Sequence, residues 1–166
     1  RGHGNVTGAD NVMAWRTGYP FGVNFMRGYP RFNPGEYTAS DILARKEADA
    51  AMIIAADPLA NFSQPARDHL ESIPYIAFDP KETPTTRAAE VAFTVATYGI
   101  NVPGTVYRMD DVPISLRPAL DCHHPSDLKI LKGIEKRVQE LNMENAKALS
   151  KDASLRPARD KYGPNE

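Results

Sequence analysis

The chain has 166 residues, a formal net charge of −1, 25% charged and 42% hydrophobic residues, the composition of one soluble globular domain with a tail. Near-neutral charge excludes the basic footprint that nucleic-acid binding needs, and no apolar run approaches the roughly 18 residues of a membrane span. The single cysteine, Cys122, excludes an internal disulfide and an iron–sulfur cluster held by this chain alone, because such clusters take about four thiolates. It fits a reducing, cytoplasmic setting, and no secretory leader is visible, since residue 1 already lies inside a motif.

Residues 1–37 read as irregular loops joined by short elements. They open with Arg1-Gly-His-Gly-Asn-Val-Thr-Gly8 and continue through Arg27-Gly-Tyr-Pro-Arg-Phe-Asn-Pro-Gly-Glu36. Glycine lets backbone N–H groups approach a ligand closely, and arginine offers a planar fork for phosphate or carboxylate. Such loops suit an anionic, hydrogen-bonding ligand; contact with a neighbouring chain is the competing use for the arginines.

From Thr38 the pattern becomes regular. Thr38 or Ser40 caps a helix with Asp41 in its first turn. Asp49-Ala-Ala-Met-Ile-Ile-Ala-Ala-Asp-Pro58 is an apolar run without alternation, the signature of a parallel strand covered on both faces. Residues 64–72 read as a helix with Ala66, Leu70 and Ile73 inward, and Tyr75-Ile-Ala-Phe-Asp-Pro80 repeats the strand that ends in Asp-Pro. A short helix over 85–90 leads to a third strand over 91–96. This order implies right-handed crossovers and an open, mainly parallel α/β sheet with flanking helices. Ligands of such sheets bind beyond the carboxyl ends of the strands, where both Asp-Pro pairs fall. Asp-Pro also starts tight turns in its own right.

After Gly99 the chain reads as a loop and an irregular strand segment. Pro125-Ser-Asp then opens a helix with Leu128, Leu131, Ile134, Val138 and Leu141 on one face, suited to a core or a contact with another chain. Residues 150–166 read as an extended polar tail. Three segments follow: 1–37 as loops suited to an anionic ligand, 38–149 as the α/β domain, and 150–166 as tail. Cys122-His-His124 does not read as a metal site, because neighbours in extended chain point to alternating sides.

The segment Arg1 to Gly8, taken with residues 27–37, resembles the molybdopterin oxidoreductase family, and most closely the B subunits of formylmethanofuran dehydrogenases. The likeness runs over about residues 1–138. It implies a molybdopterin-oxidoreductase Rossmann-like domain and bis-(molybdopterin guanine dinucleotide) carrying tungsten or molybdenum. By that resemblance Arg1 lies beside the metal and orients the substrate carboxylate; at a chain end, a solvated arginine is the alternative. Gly2, Asn5, Thr7 and Gly8 offer an amide, a hydroxyl and bare backbone to a pterin edge. Arg27, Gly28, Arg31, Asn33 and Gly35 reach toward the diphosphate. Asp57 with Pro58, and Asp79, meet ribose hydroxyls or the guanine N1/N2 edge, followed by Thr83 and Thr85. Residues 104–110 resemble the family's Gly-Thr-x-x-Arg-x-Asp-Gly turn, which brings in Arg108 but has Asp111 where glycine is usual.

The metal-bound cysteine or selenocysteine and the cluster cysteines of the family are absent from this sequence. The chain therefore resembles a C-terminal half, with thiolate and [4Fe-4S] cluster supplied by the N-terminal half of the B subunit or a companion chain. The resemblance implies an archaeal, cytoplasmic complex with the A, C and D subunits of formylmethanofuran dehydrogenase and polyferredoxin-type electron carriers. Its activity would be reversible reduction of CO2 to formate, condensed afterwards with methanofuran in the first step of methanogenesis. The alternative is a cofactor-free scaffold component of a formyltransferase/hydrolase complex.

Overall fold

A computed structural model describes residues 5–155. Within them lie two compact units, one ending at Asp127 and one beginning at Leu128. The first unit is mixed α/β. An antiparallel hairpin of β1 (Val23–Asn24) and β2 (Arg31–Phe32) comes first in the chain. The centre is a parallel sheet of β3 (Ala51–Ile54), β4 (Tyr75–Asp79) and β5 (Val91–Thr94) in that order. A second antiparallel hairpin, β6 (Gly104–Tyr107) with β7 (Pro113–Leu116), follows.

The helices of the first unit begin where sequence chemistry puts their caps. α2 (Ala39–Ala44) follows Thr38, whose hydroxyl donates to the Asp41 carboxylate. α3 (Pro58–Asn61), α4 (Gln64–Ser72) and α5 (Pro84–Ala88) each carry proline in the first turn, where the missing N–H is no loss. Ala66 and Leu70, one turn apart on α4, are fully buried, and they pack with Leu43, Leu59, Tyr75 and Ala77 as the core. Phe78 of β4 stacks on Phe93 of β5 at 5.2 Å between ring centres. The expected strands and the α4 span agree with these elements.

Two expectations are corrected. The stretch read as loop contains α1 (Val6–Thr17), a 12-residue helix. It carries no apolar stripe, so periodicity does not reveal it; local chemistry makes it. Asn5 starts it from the left-handed region (φ 57), and Gly18 (φ 84) stops it, donating its N–H to the Ala14 carbonyl at 2.8 Å. At the other end, α6 (Asp127–Leu155) runs past residue 150, so the first residues of the expected tail are helical. In this second unit Leu128, Val138 and Leu141 are exposed. No helix among the described residues is long and apolar enough to cross a membrane.

The turn of the β6–β7 hairpin explains Asp111. Asp111 N–H donates to the Arg108 carbonyl and Arg108 N–H to the Val112 carbonyl, both at 3.0 Å, with Asp111 at φ 63. The position demands a left-handed residue, and aspartate is among the few non-glycines that enter that region readily. Its carboxylate also accepts from the Asn11 amide at 3.1 Å.

Asn5 ties α1 to this hairpin across a hundred residues of sequence. Its amide donates to the Thr105 carbonyl at 3.2 Å, and its oxygen accepts from Tyr107 N–H at 2.8 Å. Gly8 is what makes room: a Cβ there would stand 2.3 Å from Asn5 Oδ1. Gly8→Ala should therefore expel the Asn5 side chain and destabilise the protein by about 1–3 kcal/mol. Urea unfolding measures this, and Asn5→Ala should show a loss of the same order.

Candidate functional site

Parallel pairing places the carboxyl ends of β3 and β4 at one edge of the sheet. The chain leaves β3 through Ala55 at φ 51, a conformation that alanine adopts only under strain. Asp57 follows as the residue before α3, and Asp79 ends β4. Both aspartates therefore stand at the same edge.

Asp57 is committed inside the protein. Its Oδ1 accepts from Thr85 N–H at 3.2 Å and from the Thr85 hydroxyl at 2.5 Å. Thr85 is fully buried; its Oγ1 also accepts from Leu59 N–H at 3.1 Å, and its carbonyl accepts from the Tyr75 hydroxyl at 2.9 Å. Burial, aided by Glu71 and Asp57, pushes the Tyr75 phenol up, so it stays a donor at neutral pH. Thr83 caps α5 in a capping box: its hydroxyl accepts from Thr86 N–H at 3.1 Å, and Thr86 Oγ1 accepts from Thr83 N–H at 2.7 Å. Asp57, Thr83 and Thr85 thus hold the edge together. Pro58 is buried beside them at the start of α3.

Asp79 is only 8% exposed and accepts from Lys81 N–H at 3.0 Å. It lines a cavity of about 290 Å³ with Lys81, Glu82, Thr86, Arg87 and Thr94. Two further cavities open around the strained Ala55. One of about 520 Å³ is lined by Asn5, Ala9, Ile54, Ala55, Tyr98, Gly104, Thr105, Leu116 and Asp127. The other, about 170 Å³, is lined by Ala55, Pro80, Val95, Ala96, Thr97, Tyr98 and Asp127. Asp127 borders both. Its Oδ1 is shielded from solvent and finds no hydrogen-bond partner among the described residues. Burial first, then the charge of Asp79, raise its carboxyl above the ordinary range.

Arg1 and Gly2 lie outside the described residues. Asn5 borders the largest of these cavities with its amide already engaged, while Thr7 and Gly8 belong to α1. Arg27 and Gly28 sit on the exposed β1–β2 connection, with Gly28 at φ 79. Arg31 lies over the Tyr37 ring at 5.0 Å. Asn33 organises its own turn: its amide donates to Glu36, and its oxygen accepts from Gly35 N–H at 3.4 Å. None of these residues of the first hairpin lines either cavity at Ala55. Arg108 pairs with Asp110 at 2.7 Å on an exposed turn. Ala55, Tyr98, Thr105 and Asp127 are cavity residues that sequence reasoning passed over; the Pro-Ser-Asp signal marked Asp127 only as a helix start. No three His, Cys, Asp or Glu residues among the described ones are grouped to hold a metal.

Comparison with known proteins gives this edge its context. Two curated relatives carry the name of the B subunit of tungsten-containing formylmethanofuran dehydrogenase 2. The one from Methanocaldococcus jannaschii is 51% identical and the one from Methanococcus maripaludis 44% identical, each over 143 residues. Each match covers 85% of this chain and 33% of the relative, so the chain spans about a third of the relatives' length. A chain in the crystal structure of the formyltransferase/hydrolase complex from Methylorubrum extorquens with methylofuran shares the fold. It has a TM-score of 0.66 and 24% identity, covering 84% of this chain and 38% of that one. No family model matches.

Two outcomes follow from the edge. Asp57→Ala should leave Thr85 N–H and hydroxyl unpaired in the core and lower unfolding stability by about 2–4 kcal/mol, read by urea titration. Asp127 works in the opposite sense. Its folded-state carboxyl is raised from the ordinary value of 3.8, so the stability linked to it is full below the unfolded value and lost as pH rises through the folded one. Asp127→Asn should therefore stabilise the protein at pH 7 relative to wild type, with the advantage vanishing below about pH 3.8, as thermal melts across pH would record.

Proposed function

We propose that this chain, a relative of the formylmethanofuran dehydrogenase B subunit over most of its length, supplies part of that polypeptide's cofactor pocket. Its residues 38–149 would form a molybdopterin-oxidoreductase Rossmann-like domain, with residues 1–37 as the cofactor-facing segment. The observation that carries the reading is 51% identity to a tungsten-named relative, joined to cavities at the carboxyl edge of a parallel sheet, where nucleotides bind in such folds.

The residues present fit the base end of a guanine dinucleotide. Asp79 and Asp127 are acceptor groups at that edge, and Asp127 Oδ1, without a partner among the described residues, marks a carboxylate set for donors. Backbone at Ala55, Gly104 and Thr105 borders the same space. Arg27 and Arg31, on a separate hairpin, would take the diphosphate, and Arg1 the carboxylate of formate. Asp57, Thr83 and Thr85 would hold the floor of the pocket, since Asp57 already bonds Thr85 and Thr83 caps α5 through Thr86. When bound, a tungsten bis-(pterin guanine dinucleotide) supplies the two-electron chemistry between CO2 and formate. This chain contributes binding, orientation and charge.

The N-terminal half of the B subunit or a companion chain would carry the metal thiolate and the iron–sulfur cluster. The A, C and D subunits, with polyferredoxin-type carriers, complete a cytoplasmic assembly that passes formate to methanofuran. A second reading, a cofactor-free scaffold in a formyltransferase/hydrolase complex, is favoured by one observation: Asp57 and Thr85 are spent on each other rather than turned to the cavity.

The two readings separate on metal. The protein purified with its co-purifying chains should contain tungsten and release guanosine monophosphate on acid hydrolysis; absence of both establishes the scaffold. In the loaded assembly Arg1→Lys should keep metal and pterin content while lowering dye-linked formate oxidation by on the order of a hundredfold, because lysine loses the two-point grip that positions a carboxylate. Near wild-type turnover at full occupancy would remove Arg1 from catalysis.

A further inference from the structure

Among the described residues the parallel sheet ends at two edges of different character. Along β5, the exposed positions are Val91, Ala92 and Thr94, and the neighbouring cavity is flanked by Lys81, Glu82 and Arg87. Charge beside a short strand is how proteins protect an edge that faces water. β3 lacks that protection. Its sequence is Ala-Met-Ile-Ile, and Met52 and Ile54 are 48% and 42% exposed.

The ladder says where the β3 backbone points. Ala51 N–H donates to the Pro74 carbonyl at 3.1 Å and Ala55 N–H to the Phe78 carbonyl at 2.8 Å, in a parallel register of Ala51 with Tyr75 and Ile53 with Ala77. Successive residues of a strand direct their N–H and C=O groups to opposite sides. The backbone groups of Met52 and Ile54 therefore point away from β4. The two most exposed apolar side chains of the strand belong to the same residues whose backbone faces the open edge. Beside them lies a groove of about 360 Å³ with an almost wholly apolar lining, including Ala39, Ile42, Met52, Ile54 and Phe62. Parallel sheets are otherwise found covered on both faces and paired within α/β cores.

We propose that the free edge of β3 receives a further β-strand from the part of the B subunit that this chain does not span. The strand would bond Met52 and Ile54 backbone and place apolar side chains in the adjoining groove. Two facts point to that occupant rather than to a second copy. The relatives are about three times the length of the matched region. A second copy pairing β3 with β3 about a twofold axis would run antiparallel, against the parallel ladder β3 already forms with β4, and purely parallel sheets are over-represented. The inference rests on the B-subunit reading of the proposed function, and it assigns the remainder of that subunit a pairing element, strand addition to an apolar edge.

Hydrogen exchange on the assembled complex tests it, with Met52→Pro as a variant. Proline deletes a donor that faces away from β4, so the β3–β4 ladder keeps its bonds. In the wild-type complex the Met52 and Ile54 amides should exchange at least about a hundredfold more slowly than in the separated chain, as paired strand amides do. Met52→Pro should speed Ile54 amide exchange in the complex at least about tenfold relative to the wild-type complex. Ile54 exchanging in the complex at the separated-chain rate would overturn the inference, whether or not Met52→Pro folds. So would protection that appears in the separated chain as its concentration rises, which identifies a second copy. Tungsten and guanosine content are read on the same samples. If they are absent while the amides are protected, the cofactor reading fails and the edge pairing stands.

Discussion

The pair formed by Asp57 and Thr85 is the contact on which the rest of the sheet edge depends. It joins residues 28 positions apart through two hydrogen bonds to one carboxylate oxygen. One partner follows β3 and the other starts the helix after β4. Thr85 has no access to water, so its N–H, hydroxyl and carbonyl must all be satisfied inside, and Asp57, Leu59 and Tyr75 satisfy them. This closes the loop after β3 over the end of β4 and sets the separation of the strand ends. Asp57 Oδ1 is thereby a framing group of the fold.

The electrostatics of the edge match that division. Asp79 is nearly buried and holds a local turn, while Asp127 is raised by burial and by the charge of Asp79. Two carboxylates in one region repel each other, and a ligand rich in N–H donors relieves that repulsion. Ala55 adds backbone strain at the same place, where the chain turns out of β3 between the two cavities. Backbone strain at Ala55 and the unsatisfied Oδ1 of Asp127 thus meet at the same edge.

The N-terminal region shows how a motif rich in glycine and amide can serve structure first. Asn5 and Gly8 belong to one device: the asparagine bridges to β6, and the glycine leaves room for it. Such a device fixes the start of α1 beside the 520 Å³ cavity.

How much of this was legible depended on the range of the interaction concerned. The apolar runs of β3 and β4 and the spacing of Ala66 and Leu70 on α4 are local signals, so the parallel strands and that helix followed from sequence, whereas the four-residue α3 did not. Parallel order then placed Asp57 and Asp79 at a common edge without further information. α1 stayed hidden because no apolar stripe marks it and its support comes from a hairpin a hundred residues away. Nor could sequence divide the acidic residues by task. A carboxylate in a turn reads the same whether it is tied to a buried threonine, as Asp57 is, or left with an unsatisfied oxygen, as Asp127 is. Sequence by itself determined which residues form the layers and where their acidic ends collect. The tertiary structure alone decided which of those groups are already satisfied, because hydrogen-bond partners and burial are set by segments that meet only in the fold.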